Sequence, residues 1–218
     1  KSQVFLKIDS HTYIGKGWSL LGSYAVDIWN NFNLNRISNS VLPHVRSDVN
    51  EYLVYGKSGI HSLYLEKKGN LSNDLFYRAF AGILEDMYSG IGVELLYMPF
   101  RSRLAFGLSY NSLRKRGFER DFKLMDYRTA TGFMSIYYAL PYYNYDIAVH
   151  VGRYLAKDTG STVEIRRTFD NGFSIGAFAS FTNVSSNDFG EGSFDKGLFF
   201  RIPFNIFTKQ NSKKTFAT

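Results

Sequence analysis

The sequence predicts an all-β, antiparallel transmembrane β-barrel, or a large fragment of one, with about eleven strands. Three observations predict it. Short segments alternate apolar with small or polar residues at a period of two, the period at which a strand presents opposite faces. The connections between them alternate in length, as in barrels with short turns at one end and longer loops at the other. No run of about 18 apolar residues occurs that would make a transmembrane helix, whereas barrel strands are individually only weakly hydrophobic.

Taken in order, Val4, Leu6 and Ile8 begin the alternation, and Gly15-Lys16-Gly17 closes a hairpin into Trp18–Trp29. There Trp18, Leu20, Tyr24, Val26 and Ile28 oppose Ser19, Ser23, Ala25 and Asp27. The stretch 30–59 breaks the rhythm: it is Asn- and Ser-rich, with a short helix around Val49–Tyr55. A connection this long is functional or flexible, which makes His44, Arg46 and Asp48 candidate functional residues. The next strands are Ile60–Lys67, Leu75–Leu84, Ile91–Met98 and Leu104–Leu113. In the last of these, Leu104, Phe106, Leu108 and Tyr110 alternate with Ala105, Gly107, Ser109 and Asn111.

Tyr127–Leu140, Tyr145–Leu155, Ser161–Phe169, Phe173–Asn183 and Gly197–Phe204 complete the series. Phe173, Ile175, Ala177, Ala179 and Phe181 share a face, and Phe178 is the bulky exception on the other. Asp170-Asn171-Gly172 is a tight turn whose Asn-Gly tolerates positive φ. Pro99–Ser102 and Pro141–Asn144 are also short, whereas Arg114–Asp126 and Val184–Lys196 are long. Aromatics, among them Tyr97, Phe100, Tyr137, Tyr138, Tyr142, Tyr143 and Tyr145, gather at the short-turn ends, where an interfacial girdle would lie. Residues 1–218 read as one domain. A soluble antiparallel sheet with one buried face explains the alternation too. The Gly-, Ala- and Ser-rich opposite face favours a crowded barrel interior.

The chain carries a net charge of +7, but its basic residues are scattered, so no nucleic-acid footprint forms. It has no cysteine, which excludes a disulfide framework and thiolate metal sites. Four histidines on separate segments make no metal site, and no cofactor motif is present. Because it opens at Lys1, the chain reads as processed or excised from something longer.

LPHVRSD (Leu42–Asp48), GVELLYMPF (Gly92–Phe100), DYRTATG (Asp126–Gly132), GRYLAKDTGSTVEIRRTFDNG (Gly152–Gly172) and FGEGSFDKG (Phe189–Gly197) resemble the YjbH family, in the family's order. The resemblance runs from about Trp18 to Phe207. It implies a β-barrel lipoprotein of the bacterial outer membrane that supports exopolysaccharide biosynthesis or export. The implied partners are outer-membrane lipid, the secreted polysaccharide and other polysaccharide-export components. It implies no catalytic residue.

His150 falls on the polar face of its strand, with Asp146 one side-chain step away and Glu164 on a nearby strand. A Ser-His-carboxylate arrangement would make a membrane lipase or acyl-transfer enzyme, but no Gly-x-Ser-x-Gly elbow is present. The reading is therefore non-enzymatic, with His150 a structural residue. Glu94, Asp146, Glu164, Arg166 and Arg201 fall on the same polar face, either as a network bracing a lumen or as a path for an acidic sugar chain. Arg114-Lys115-Arg116 opens a long loop and reads as solvated. Glu191, Ser193, Asp195 and Lys196 belong to a Gly-rich loop that folds into the barrel mouth. The competing functions are an outer-membrane enzyme acting on lipid or glycan, and a soluble carbohydrate-binding module whose Tyr and Trp stack on sugar rings.

Overall fold

The computed structural model describes residues 2–33, 45, 46, 48–184, 195–203 and 215–217. It is one antiparallel sheet whose strands follow one another in chain order. The first are β1 (Gln3–Gly15), β2 (Trp18–Asn30), β3 (Gly59–Asn70) and β4 (Leu75–Ile83). β5 (Tyr88–Tyr97), β6 (Leu104–Arg116), β7 (Leu124–Ala139) and β8 (Tyr145–Arg153) follow. β9 (Thr159–Thr168), β10 (Ser174–Thr182), β11 (Asp195–Pro203) and the three-residue β12 (Thr215–Ala217) end it. Among the described residues one helix, α1 (Val49–Tyr55), interrupts the series between β2 and β3, where the sequence places it.

Among the described residues the expected closure is not there. β1 pairs with β2 and β12 with β11, so these two strands are the edges of an open sheet. The strand count follows the alternation, but ring closure needs a register between first and last strands, and no local pattern encodes one.

Alternation sets which way each face points. Along β6, Leu104, Phe106, Leu108 and Tyr110 are 42–53% exposed, while Ala105, Gly107, Ser109 and Asn111 are half-buried. Register carries the pattern across the sheet: Leu108 opposes Leu95 and Met134, and Ser109 opposes Glu94 and Phe133. Among the described residues no second layer covers the apolar face, which is the reverse of a soluble sheet's arrangement. Residues of β5 through β9 line one cavity of about 470 Å³ on the polar face, so that face is the concave one.

Small residues make room there for a few large ones. A Cβ on Gly197 would lie 2.6 Å from the Phe178 ring, and one on Gly176 2.3 Å from the Phe199 ring. Phe178, the exception to its strand's pattern, is therefore accommodated by the glycine opposite it. The turn before β10 is wider than a two-residue hairpin: Gly172 N–H donates to Phe169 O and Phe169 N–H to Phe173 O. Gly172 has φ +81°, whereas Asn171 does not take positive φ.

Several boundaries move. β6 runs on through Arg116 and β7 begins at Leu124, so the loop expected over Arg114–Asp126 shrinks to residues 117–123. Asp195 and Lys196 are not loop residues: they open β11, opposite Ser180 and Ala179. His44, Glu191 and Ser193 lie outside the described residues.

The buried apolar cluster is small and sits at the long-loop end, where Tyr52 of α1 packs with Met87 and Tyr88. Among the described residues no helix is long and apolar enough to cross a membrane, which says nothing of crossing by strands.

Candidate functional site

The concave face carries the polar side chains in rows set by register. Arg78 on β4 opposes Lys68 on β3 and Glu94 on β5. Arg78 Nε donates to Glu66 Oε2 at 2.5 Å, and its Nη1 lies 3.4 Å from Glu94 Oε2. Lys68 Nζ reaches Glu66 Oε1 at 2.9 Å, and the Arg78 guanidinium lies 4.5 Å from the Phe80 ring centroid. The Glu66 side chain is 4% exposed, so this carboxylate is held by two cations in a sheltered place.

Farther along the face, Asp146 opposes Arg166, and Arg166 Nη2 donates to Asp146 Oδ2 at 2.9 Å. Beside Asp146 and Arg166, toward the long-loop end of β7 to β10, is a hydroxyl-rich stretch. Ser135 Oγ and His150 Nδ1 share a hydrogen bond of 2.8 Å, and Tyr137 meets the imidazole edge-on at 5.7 Å. Thr162 Oγ1 is bonded to Tyr154 Oη at 2.6 Å and to Ser180 Oγ at 2.7 Å. Phe133, Tyr137, His150, Tyr154 and Thr162 line the cavity.

Of the residues singled out from sequence, Glu94, Asp146, His150, Glu164, Arg166 and Arg201 all project from this face. The structure brings Asp146 to Arg166. Glu94 is joined instead by Arg78, and Glu164 and Arg201 form no ion pair among the described residues. His150 has a serine partner but no carboxylate hydrogen bond, so the third group of a hydrolytic triad is missing among the described residues. No group of residues able to hold a metal occurs among the described residues either.

Sequence reasoning missed Glu66, Lys68 and Arg78, although their spacing was a usable signal. Glu66 and Lys68 fall on the same side of β3 as Tyr64, and their alternation with Leu63 and Leu65 was visible.

It also misread Arg114-Lys115-Arg116 as solvated. Arg116 is wholly buried, and its terminal nitrogens donate to the carbonyls of Ile60, Glu85, Asp86 and Asp121 at 2.8–3.2 Å. Tyr52 Oη donates to Arg116 O at 2.6 Å, and Lys115 is ion-paired with Asp48. Burial pushes the Tyr52 hydroxyl well up, so it stays a neutral donor.

Beside them, Asp86 bonds His61 Nδ1 at 2.7 Å and lies 3.4 Å from Arg120 Nη2. Burial acts to raise the Asp86 carboxyl, but the His61 hydrogen bond and the Arg120 charge outweigh it and hold it below the usual carboxylate range. Arg46 joins this end through Glu85 Oε2 at 2.9 Å. The arrangement ties α1 and the loops at 84–87 and 117–123 together through charged groups, with Lys115, Arg116 and Arg120 buried among them.

Comparison with known proteins adds the lineage. Residues 1–218 match the family model YjbH, whose description is exopolysaccharide biosynthesis protein YbjH. The chain is 36% identical over 196 residues to the uncharacterized lipoprotein YjbH of Escherichia coli (strain K12), an alignment covering 86% of this chain and 28% of that protein. The chain thus spans little more than a quarter of that relative's length. No solved structure matches.

Proposed function

The chain belongs to the YjbH family of exopolysaccharide biosynthesis proteins, and from that premise we propose that it forms wall of an outer-membrane β-barrel that supports exopolysaccharide production or export without catalysis. The observation that carries this reading is the outward apolar face of β6 and its neighbours, with Glu66, Arg78, Glu94, Asp146 and Arg166 turned to the opposite side. Turned outward, an Arg near the bilayer midplane costs about 2–4 kcal/mol, and turned inward it pairs with a carboxylate. The lipoprotein description of the Escherichia coli relative supports an envelope location.

In lipid, the bare edges of β1 and β12 would leave unpaired N–H and C=O groups. The wall is therefore completed by further strand pairing, between these edges or with strands outside the described sheet. The concave face then borders the lumen. Its cations are largely matched by carboxylates, as at Glu66–Arg78 and Asp146–Arg166, which favours bracing of the wall over guidance of an anionic polymer. The polymer would meet hydroxyls and rings along Ser135, His150, Tyr137, Tyr154 and Thr162. The working partners are outer-membrane lipid, the secreted polysaccharide and other export components.

The test combines cell fractionation with polysaccharide output. The full-length protein should stay with outer-membrane pellets after alkaline extraction, and its deletion should lower secreted polysaccharide. His150→Ala should restore output to within about twofold at matched protein level. Unchanged output on deletion would sink the role in export. Abundant, folded and inactive His150→Ala protein would replace the non-enzymatic reading with an acyl-transfer or hydrolytic one built on Ser135 and His150.

A further inference from the structure

We propose that the outer face at the short-turn end binds phospholipid headgroups through their phosphates, with Arg167 as the principal contact. The inference rests on the membrane reading above.

Arg166 and Arg167 are neighbours on β9 and project to opposite faces. Arg166, on the concave side, is paired with Asp146 at 2.9 Å. Arg167, on the apolar side, has no ion pair among the described residues. Its guanidinium carbon lies 4.5 Å from the centroid of Phe169, 5.6 Å from that of Tyr145 and 5.7 Å from that of Tyr143. A guanidinium bedded on rings keeps its planar fork of N–H donors for an acceptor in its own plane. Two oxygens of one phosphate match that fork, and the bond is charge-assisted.

Position identifies the source of the phosphate. The next outward positions along β9 are Ile165 and Val163, both exposed, and Arg167 itself opposes Tyr145 and Ile175. Arg167 thus marks the line where the apolar belt meets the turns. The same pairing of cation and ring recurs along that end. Lys67 Nζ lies 5.2 Å from the Trp18 ring, and the Arg101 guanidinium 5.3 Å from the ring of Phe100, itself 82% exposed. In outer-membrane barrels the short turns face the periplasm, and cations at the belt's edge cost little there while standing level with headgroups. The occupant is the phosphate of a phospholipid in that leaflet, not a dissolved anion.

The experiment is native mass spectrometry of the full-length protein in detergent, with added phosphatidylglycerol or with a galactolipid of the same chains and no phosphate. Wild type should retain phosphatidylglycerol, and Arg167→Gln should cut that retention at least about fivefold while galactolipid retention stays the same. Arg166→Gln should retain phosphatidylglycerol as wild type does. Arg167→Lys keeps the charge without the fork and should fall between, so the proposal stays testable if Arg167→Gln misfolds. Undiminished phosphatidylglycerol retention by folded Arg167→Gln overturns the proposal. Full displacement by millimolar inorganic phosphate overturns the lipid as its source. A wild-type protein that retains neither lipid overturns the membrane reading itself, an outcome distinct from the other two.

Discussion

Arg116 shows what a single residue does in this molecule. It ends β6, and its guanidinium satisfies carbonyls from β3, the 84–87 loop and the 117–123 loop. Replacing it with Met leaves those carbonyls buried and unpaired, at a cost of about 3 kcal/mol. Arg116→Met should therefore lower the thermal midpoint in detergent clearly, while the exposed Arg153→Met should not; equal midpoints for the two would show that the carbonyl network is immaterial. In the sequence this arginine was not recognisable. It sits in a basic triplet that looks solvated, and its acceptors lie up to 56 residues away. Asp146 and Arg166 were easier to read, because strict alternation puts both on one face and antiparallel pairing brings them opposite each other. The partner of Glu94 is not legible in the sequence, because Arg78 shares its face of β4 with Phe76 and Phe80 and the alternation there does not mark that face as polar.

At the scale of elements, α1 is held against the sheet's long-loop end by polar groups more than by area. Tyr52 is its buried residue, and Lys115–Asp48, Arg46–Glu85 and Asp86 with His61 and Arg120 fasten the surroundings. Because the Asp86 carboxyl is depressed in the folded protein, its contribution to stability is present above its unfolded value and is lost as pH falls through its folded value. The 84–87 and 117–123 loops and α1 should then exchange amide hydrogens faster at pH ~3 than at pH ~6, read after correction for intrinsic exchange. Asp86→Asn should already exchange faster at the higher pH and gain less on acidification. A wild-type pH response in that variant would remove Asp86 from the account. The helix was legible from its sequence at both ends, whereas β6 and β7 reach beyond the predicted bounds. Charged residues such as Arg114 and Arg116 look like loop, and only pairing with Arg128 and Leu124 keeps them in strands.

For the whole molecule, the pattern in the sequence carried the strand order and the two faces. It overstated the alternation of turn lengths: the connection 84–87 is shorter than 98–103, and 154–158 matches 140–144 and 169–173. It carried no closure, because edge pairing between β1 and β12 depends on long-range register. The central claim is that the apolar face meets lipid and the polar face meets water. Residues 1–218 hold no cysteine, so once any free cysteine elsewhere in the full-length protein is replaced by serine, single cysteines can be placed one at a time along β6 and spin-labelled in that protein reconstituted in bilayers. Collision with dissolved oxygen, which favours lipid, is then compared with collision with a water-soluble nickel chelate. Labels at Phe106, Leu108 and Tyr110 should favour oxygen, and those at Gly107, Ser109 and Asn111 should favour the chelate, in a period of two. Chelate access along both faces, or oxygen preference on the polar face, would contradict the account.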